Sequence, residues 1–384
     1  MNNANWPAVP LGDLIKRNEN VATIVEGRKY QEVTIRLWGK GVTRRQYIDG
    51  TMLQGARRFS VSKGQFIVSR IDARNGAMGV VPEGLDGAIV TNDFPSYDVN
   101  QDKVLPSFMG WICRTQKFVD SCKTASEGTT NRVRLKEDAF LKVRVSLPPI
   151  NEQRRIVKLL DCISGKIDNV NSLQSDLKLT NLAFQRSIFS EIVHQSQKSL
   201  MGGVAPLVRR PITPKEGESY SELGVRSFGR GTFHKPSLDH MAIGTKKIYR
   251  IEPGDLVFSN VFAWEGAIAV AKHEDEGRVG SHRFITCVPK ERIVTAEFLC
   301  FYFLTPEGMQ KIGEASPGGA GRNRTLGIAK LERIEVPVPS YTDQLRFGSI
   351  LKRMNTADAE RRESVILLDA MLPSLLDRAF KGEL

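Results

Sequence analysis

Two regimes of hydrophobic spacing divide the chain. Up to about residue 149, and again from about 201 to 340, apolar and polar positions alternate in short runs broken by Gly or Pro roughly every ten residues, the spacing of short strands. In each of these regions one segment, "SFMGWICRTQKFVDSC" from 107 and "AEFLCFYFLTPEGMQKI" from 296, predicts a single buried helix. From Asn151 to about Gln197 the pattern changes: there is no Pro, Gly165 is the one glycine, and apolar residues recur at spacings of three and four. Ile156, Leu160, Ile163, Ile167 and Val170 form a seam that Leu177, Phe184 and Ile188 continue, with polar Gln174 and Asn181 inside it. Near the end of the chain Phe347, Leu351, Met354, Val365, Leu368, Leu372, Leu375 and Ala379 keep one phase, with Asp358 and Arg361 on seam positions. Both patterns are heptads and predict long helices.

The two alternating regions are copies. "YQEVTIRLWGKG" at 30 and "YSELGVRSFGRG" at 220 lie 190 residues apart, pairing Tyr30 with Tyr220, Arg36 with Arg226, Trp38 with Phe228, Gly39 with Gly229 and Gly41 with Gly231. The same offset pairs Gly64 with Gly254, Ser69 with Ser259, Gly76 with Gly266, Phe94 with Phe284 and Ser126 with Ser316. Beyond that, "TNRVRLKEDAFLKVRVSLPP" and "RNRTLGIAKLERIEVPVPS" match with a small shift. Two copies at so long a period imply two globular domains rather than a stacked solenoid.

Proline ahead of each long helix fits a first turn that has no use for its missing donor, with Asn151 or Thr342 as the expected cap. Pro373, inside the second heptad run, is expected to kink or end that helix near Leu372. At 1.5 Å per residue each helix is a rod of roughly 60 to 70 Å. Each seam needs a partner, and the other helix is the nearest one. The expectation is an α+β chain, two mixed α/β domains related by a pseudo-twofold and separated by two long antiparallel coiled-coil helices. Its parts are a first domain at 1–149, a central spacer helix at 150–200, a second domain at 201–340 and a C-terminal spacer helix at 341–384.

Charge adds a partner. Lys and Arg number 55 against 43 Asp and Glu, a net +12 with pI near 9.5, which favours a polyanion. From Arg28 to Arg74 eleven basic residues face three acids. No apolar run reaches the roughly 20 residues of a membrane span, and the amino terminus lacks a signal-peptide layout, so the expected location is cytoplasmic. Five cysteines, Cys113, Cys122, Cys162, Cys287 and Cys300, lie in apolar surroundings without a C-x-x-C pair and read as reduced core thiols. The sequence holds no Asn-Pro-Pro-aromatic loop, no cofactor-binding G-x-G after a strand and no G-x-x-x-x-G-K-[ST] phosphate loop, and its five His show no metal spacing. The chain is therefore expected not to be an enzyme and to bind no cofactor or metal of its own.

With "VSLPPINEQRRIVKLLD" leading into the central helix, "VPVPSYTDQLRFGSILKR" as its second copy and the ending "LLPSLLDRAFKGEL", the chain resembles the specificity subunit of type I restriction-modification systems over its whole length. Glu152 and Gln153 fit the family's helix start, whereas the second copy carries Asp343 and Gln344 and separated prolines, Pro337 and Pro339. The resemblance implies a non-catalytic reader of double-stranded DNA, with two target-recognition domains that each bind half of a split target. It also implies helices that act as spacer and dock two methyltransferase subunits. S-adenosylmethionine, ATP and Mg2+ would then sit on partner subunits, with restriction subunits joining the complex. The spacer and docking residues expected on this reading are Glu152, Gln153, Ile156, Leu160, Ile163, Ile167, Gln344, Phe347, Leu351, Leu368, Leu372 and Leu375. Two other readings stay open: the specificity part of a related system whose partner fuses nuclease and methylase, and a coiled-coil adaptor whose basic domains bind RNA or an acidic protein.

DNA reading needs cations and backbone amides on phosphates and forked side chains on base edges. Around the glycine turns stand Arg36, Lys40, Arg44 and Arg45, with Arg226, Arg230 and Lys235 as counterparts. The loops "SEGTTNR" and "SPGGAGRNR" join glycines to Thr129, Thr130, Asn131 and Arg132, and to Arg322, Asn323 and Arg324. The halves differ most at Arg70, Arg74 and Asn75 against Asn260, Trp264 and Glu265, where sequence readout is expected.

Overall fold

A computed structural model describes residues 6–53, 57–127, 133–318 and 324–383. It comprises two compact units, Met1–Gln174 with Arg362–Leu384, and Ser175–Arg361. No helix among the described residues is long and apolar enough to cross a membrane.

In the first unit one sheet has the order Val42–Asp49, Lys29–Ile35, Ile89–Val90, Phe59–Ser60, and another the order Ile15–Arg17, Ser96–Val99, Phe66–Val68, Met78–Val80. Strand Phe66–Val68 is buried at every position because both its faces are covered. Phe66 and Val68 point into a core with Tyr97, Phe108 and Phe140, and Ile67 into a second core with Val33, Val42 and Val90. The second unit repeats the scheme, Leu256 and Phe258 facing one core and Val257 another. Strand Lys29–Ile35 recurs as Ser219–Val225 and Val42–Asp49 as Thr232–Asp239, both at the offset of 190, with the parallel step of Glu32 onto Ile89 repeated by Glu222 onto Val279.

Where one buried helix per unit was expected there are two, Pro106–Ile112 and Gln116–Thr124, then Ala296–Phe303 and Pro306–Glu314. The break has a local cause. The hydroxyl oxygens of Thr115 and Thr305 accept from the amides of Phe118 and Gly308, so each threonine starts a new helix as its N-cap.

The central helix spans Ile150–Val193 and the C-terminal helix Tyr341–Phe380. The central helix ends short of Gln197, and Gln197–Leu200, expected to lie within the spacer, is a strand antiparallel to Glu335–Val338. This pair is the counterpart of Ala8–Pro10 on Arg144–Ser146 in the first unit. Neither expected cap serves. Asn151 lies inside its helix and its side chain accepts from Arg154, while the C-terminal helix is capped by Ser340, whose hydroxyl oxygen accepts from the Asp343 amide. That helix does not end at Pro373, an exposed residue, but continues to Phe380.

Within each unit the two long helices meet. In the first, Ile156, Val157 and Leu160 share a core with Leu376 and Ala379, and Leu372 packs against it. In the second, the Asn181 amide donates to Asp358 at 3.3 Å and Gln185 lies 3.8 Å from the Met354 sulfur, so numbers rise on one helix as they fall on the other.

Candidate nucleic-acid interface

The hairpin between Lys29–Ile35 and Val42–Asp49 turns through Arg36-Leu37-Trp38-Gly39-Lys40-Gly41. Trp38 and Gly39 have φ of 61° and 63°, and the Lys40 amide reaches back to the Leu37 carbonyl at 3.3 Å. Two successive positive φ values with that closing bond make a type I′ turn, the form that follows strand twist. Phe228 and Gly229 repeat it, each with φ of 63°.

Each turn is fastened to the next loop. The amides of Trp38 and Gly39 donate to the carbonyls of Asn75 and Gly76 at 2.9 and 2.8 Å, and those of Phe228 and Gly229 to Glu265 and Gly266, both at 2.8 Å. Gly76 has φ of 71°, and a Cβ there would stand 3.1 Å from the Trp38 Cα, so glycine is what permits the approach. A third segment joins from the other side: the Leu135 amide donates to the Arg70 carbonyl at 2.8 Å, and in the second unit the Leu326 amide donates to Asn260 at 2.7 Å. Residues 36–41 thus meet 69–77, which Leu135 joins, in the first unit, and 226–231 meet 259–267, which Leu326 joins, in the second. Thr129, Thr130, Asn131, Arg132, Arg322 and Asn323 lie outside the described residues.

The remaining candidates divide by how their charge is used. Arg36, Lys40, Arg44 and Arg45 are exposed and make no ion pair among the described residues, although Arg44 lies over the Tyr47 ring at 4.8 Å. Arg74 is half-buried and likewise makes no ion pair there. Arg226 donates to the Thr232 carbonyl at 2.7 Å and covers Phe233, Arg230 covers Phe228 at 5.6 Å, and Arg324 covers Trp264 at 5.4 Å. Cations held flat on rings keep their outer donors for another acceptor.

Three expected DNA contacts are engaged within their own domain. Arg70 pairs with Glu137 at 3.6 Å, Asn75 donates to Asp72 at 3.4 Å, and Lys235 approaches Glu222 at 4.0 Å. Trp264 satisfies its indole N–H on the Val261 carbonyl, and Glu265 accepts from Ser227. The Asn260 side-chain oxygen is buried without a partner among the described residues, an acceptor whose desolvation is uncompensated. The sequence reading passed over Trp38 and Phe228 as contacts, yet they are 61% and 72% exposed. Their shared place before a glycine in both copies was the available signal.

On the helices the docking expectation needs correcting. Gln153 and Gln344 are wholly buried. The Gln153 amide nitrogen donates to the carbonyls of Lys103 and Pro148, both at 2.9 Å, while its oxygen accepts from the Leu105 amide. Gln344 makes the matching set with Ile293, Pro339 and Thr295. These glutamines lock each helix to its own domain and offer nothing outward. Ile156, Leu160, Ile167 and Phe347 are likewise buried, and Ile163, Leu351, Leu368, Leu372 and Leu375 half-buried along the seams. Glu152, ion-paired with Arg155 at 2.7 Å, is partly accessible. Leu177 and Phe184, placed on the seam by heptad counting, are exposed, and Phe189 takes the inward position.

Burial pushes the Cys113, Cys122 and Cys287 thiols up to about 12, which keeps them protonated, and Cys162, expected in a core, is exposed. Among the described residues no group of three His, Cys, Asp or Glu side chains is placed to hold a metal ion.

Residues 3–179 match the family model of the type I restriction modification DNA specificity domain. No curated protein matches the chain. Among solved structures, the HsdS subunit from Thermoanaerobacter tengcongensis is similar at 18% identity, with 99% of this chain and 98% of that one covered and a TM-score of 0.60. A chain from a structural study of complex assembly and conformational transition of the type I R-M system gives 19% identity, 99% coverage of both chains and a TM-score of 0.68. The S subunit from M. genitalium gives 13% identity, 99% and 97% coverage and a TM-score of 0.53. Residues 3–179 thus match the type I restriction modification DNA specificity domain, the same stretch recurs 190 residues on, and the fold is similar end to end to that of these subunits.

Proposed function

We propose that the chain reads a bipartite target on double-stranded DNA, one half-site per unit, and delivers it to methyltransferase and restriction subunits docked through its helices. The observation that carries this reading is the duplicated glycine turn fastened by two backbone bonds to its adjoining loop, with Arg36 and Lys40 exposed in the first unit and Arg230 and Arg324 placed over rings in the second. Backbone geometry is common to both units, while the side chains at 70, 74 and 75 differ from those at 260, 264 and 265. A shared frame under divergent side chains suits two half-sites of different sequence.

On this reading the chain binds no cofactor: S-adenosylmethionine, ATP and Mg2+ belong to the partners. A groove of about 920 Å3 in the second unit, between Ser187–Gln195 and Asp343–Ile350, offers a dock that the buried seam cannot. The reading is tested by filter binding of the full chain to a duplex pool across a salt series. Affinity should fall steeply with salt, as expected when several phosphates are neutralised. Arg324→Ala should weaken selection at one half-site alone. Affinity indifferent to salt, or a preference for single-stranded RNA, would favour the adaptor reading instead.

A further inference from the structure

The two turns use a residue that the turn itself disfavours. Both central positions of a type I′ turn need positive φ, which Asn and Gly supply cheaply and a bulky side chain does not. Yet Trp38 and Phe228 occupy the first of those positions, and with Arg292 they are the only non-glycine residues of positive φ among the described residues. Core packing does not account for them, since the rings are 61% and 72% exposed. The same costly choice stands at the same place in two copies whose neighbouring loops have diverged.

The turns are also rigidly held. Each hangs on two backbone bonds to the adjoining loop, and behind Gly39 and Gly229 a Cβ would meet Arg114 and Leu304 at 2.6 Å. The same turns carry cations, Arg36 and Lys40 exposed in the first unit and Arg226 and Arg230 in the second, with Arg230 over the Phe228 ring at 5.6 Å. A stiffly mounted, solvent-facing aromatic with positive charge beside it fits a flat apolar surface within a polyanion. That describes the base of a nucleotide whose phosphates the cations meet. Strain held at an exposed side chain is explained by what the side chain touches.

We propose that Trp38 and Phe228 are nucleotide-contacting residues, one for each half-site, which stack on or wedge against bases of the bound duplex. This rests on the DNA-reading function proposed above and adds to it a sequence-tolerant apolar contact beside the cations. Each ring stands exposed to solvent on a left-handed backbone. The ring contributes affinity and positions the neighbouring loops, and base identity is left to their polar side chains.

The test uses the full chain, Trp38→Asn and Phe228→Asn variants, and a random-sequence duplex pool enriched on the wild-type protein. Asparagine suits the turn better than either aromatic, so the variants should melt at the wild-type temperature or above it. Each should nonetheless lose about tenfold or more in duplex affinity, the scale of one base–aromatic stack. The slope of affinity against salt should not change, because no phosphate contact is removed, and Trp38→Phe should retain most of the binding. Asparagine variants that bind duplex as tightly as wild type would overturn the proposal. So would a loss that merely follows a lower melting temperature, or a defect confined to assembly with protein subunits. If the wild-type chain shows no salt-dependent duplex binding, the underlying DNA-reading function fails, and this assignment falls with it.

Discussion

At the scale of single residues, the helix-start glutamines are the most constrained polar groups in the chain. Each joins three backbone groups from two separate segments while wholly buried, so its removal strands two carbonyls and an amide and leaves a void. Gln153→Ala and Gln344→Ala should each cost about 3 kcal/mol, read as a lower urea midpoint. Gln→Glu at the same positions should be no better, because a carboxylate cannot donate to the two carbonyls. A second case is peculiar to one copy. Asp275 is buried and accepts from the Lys272 amide and the Thr232 hydroxyl, with His234 at 2.9 Å. At the equivalent positions the first unit has Leu85, Val42 and Arg44. Burial alone would raise this carboxyl, but the bonds from Lys272, His234 and Thr232 together hold it below the ordinary carboxylate range. A depressed folded value stabilises at pH above the unfolded value, about 3.9, and that stabilisation drains away as pH falls through the folded one. The second unit's urea midpoint should therefore fall with acid below about pH 4, and Asp275→Asn should flatten that part of the profile.

At the scale of elements, the C-terminal helix was legible residue by residue and the central helix only in part. Every seam position counted from Phe347 to Ala379 is buried or half-buried, including polar Asp358 and Arg361, which bond to each other at 2.7 Å. On the central helix the count holds to Gln174 and again at Asn181 and Ile188, but Leu177 and Phe184 lie outside, and Gln185 and Phe189 come in. A 3.5-residue repeat describes a helix that follows another helix, whereas the end of this one packs on its own domain, where the natural 3.6 period turns the inward face by one residue. The domain's aromatic cluster was not visible from heptad spacing. Phe189 lies 4.9 Å from Phe301, 5.3 Å from Phe298 and 5.7 Å from Phe347 between ring centres. Phe189→Ala should cost about 3 to 5 kcal/mol, measured by chemical unfolding, while Phe184→Ala at its exposed neighbour should change stability by less than about 0.5 kcal/mol. Equal effects would mean that the heptad count, not the aromatic cluster, sets the helix's inner face. Threonine capping was the other signal passed over: a hydroxyl at 115 and at 305 splits what hydrophobicity alone presents as one helix.

At the scale of the whole molecule, the register of the duplication makes the units interchangeable in a testable way. The repeat was readable because glycines with positive φ, Gly39, Gly41, Gly64 and Gly76 and their partners 190 residues on, resist substitution where side chains drift. What each unit reads was not legible, since Arg70 and Asn75, which read as forks on paper, are engaged within the domain. The junctions between unit and helix are nearly independent of side chains. Gln344 bonds to the Ile293 carbonyl and Thr295 amide, and Gln153 to the same two backbone atoms 190 residues earlier, at Lys103 and Leu105. A chain in which residues 29–141 replace residues 219–332 would offer Gln344 its partners unchanged. It should fold cooperatively, within a few degrees of the parent's melting temperature. If each unit reads its own half-site, duplexes enriched on this chimera should carry the first unit's half-site twice and lack the second's. Enrichment of the parent's asymmetric target would instead place sequence choice outside the exchanged loops, in the helices or in a partner, and the one-unit, one-half-site assignment would not survive it.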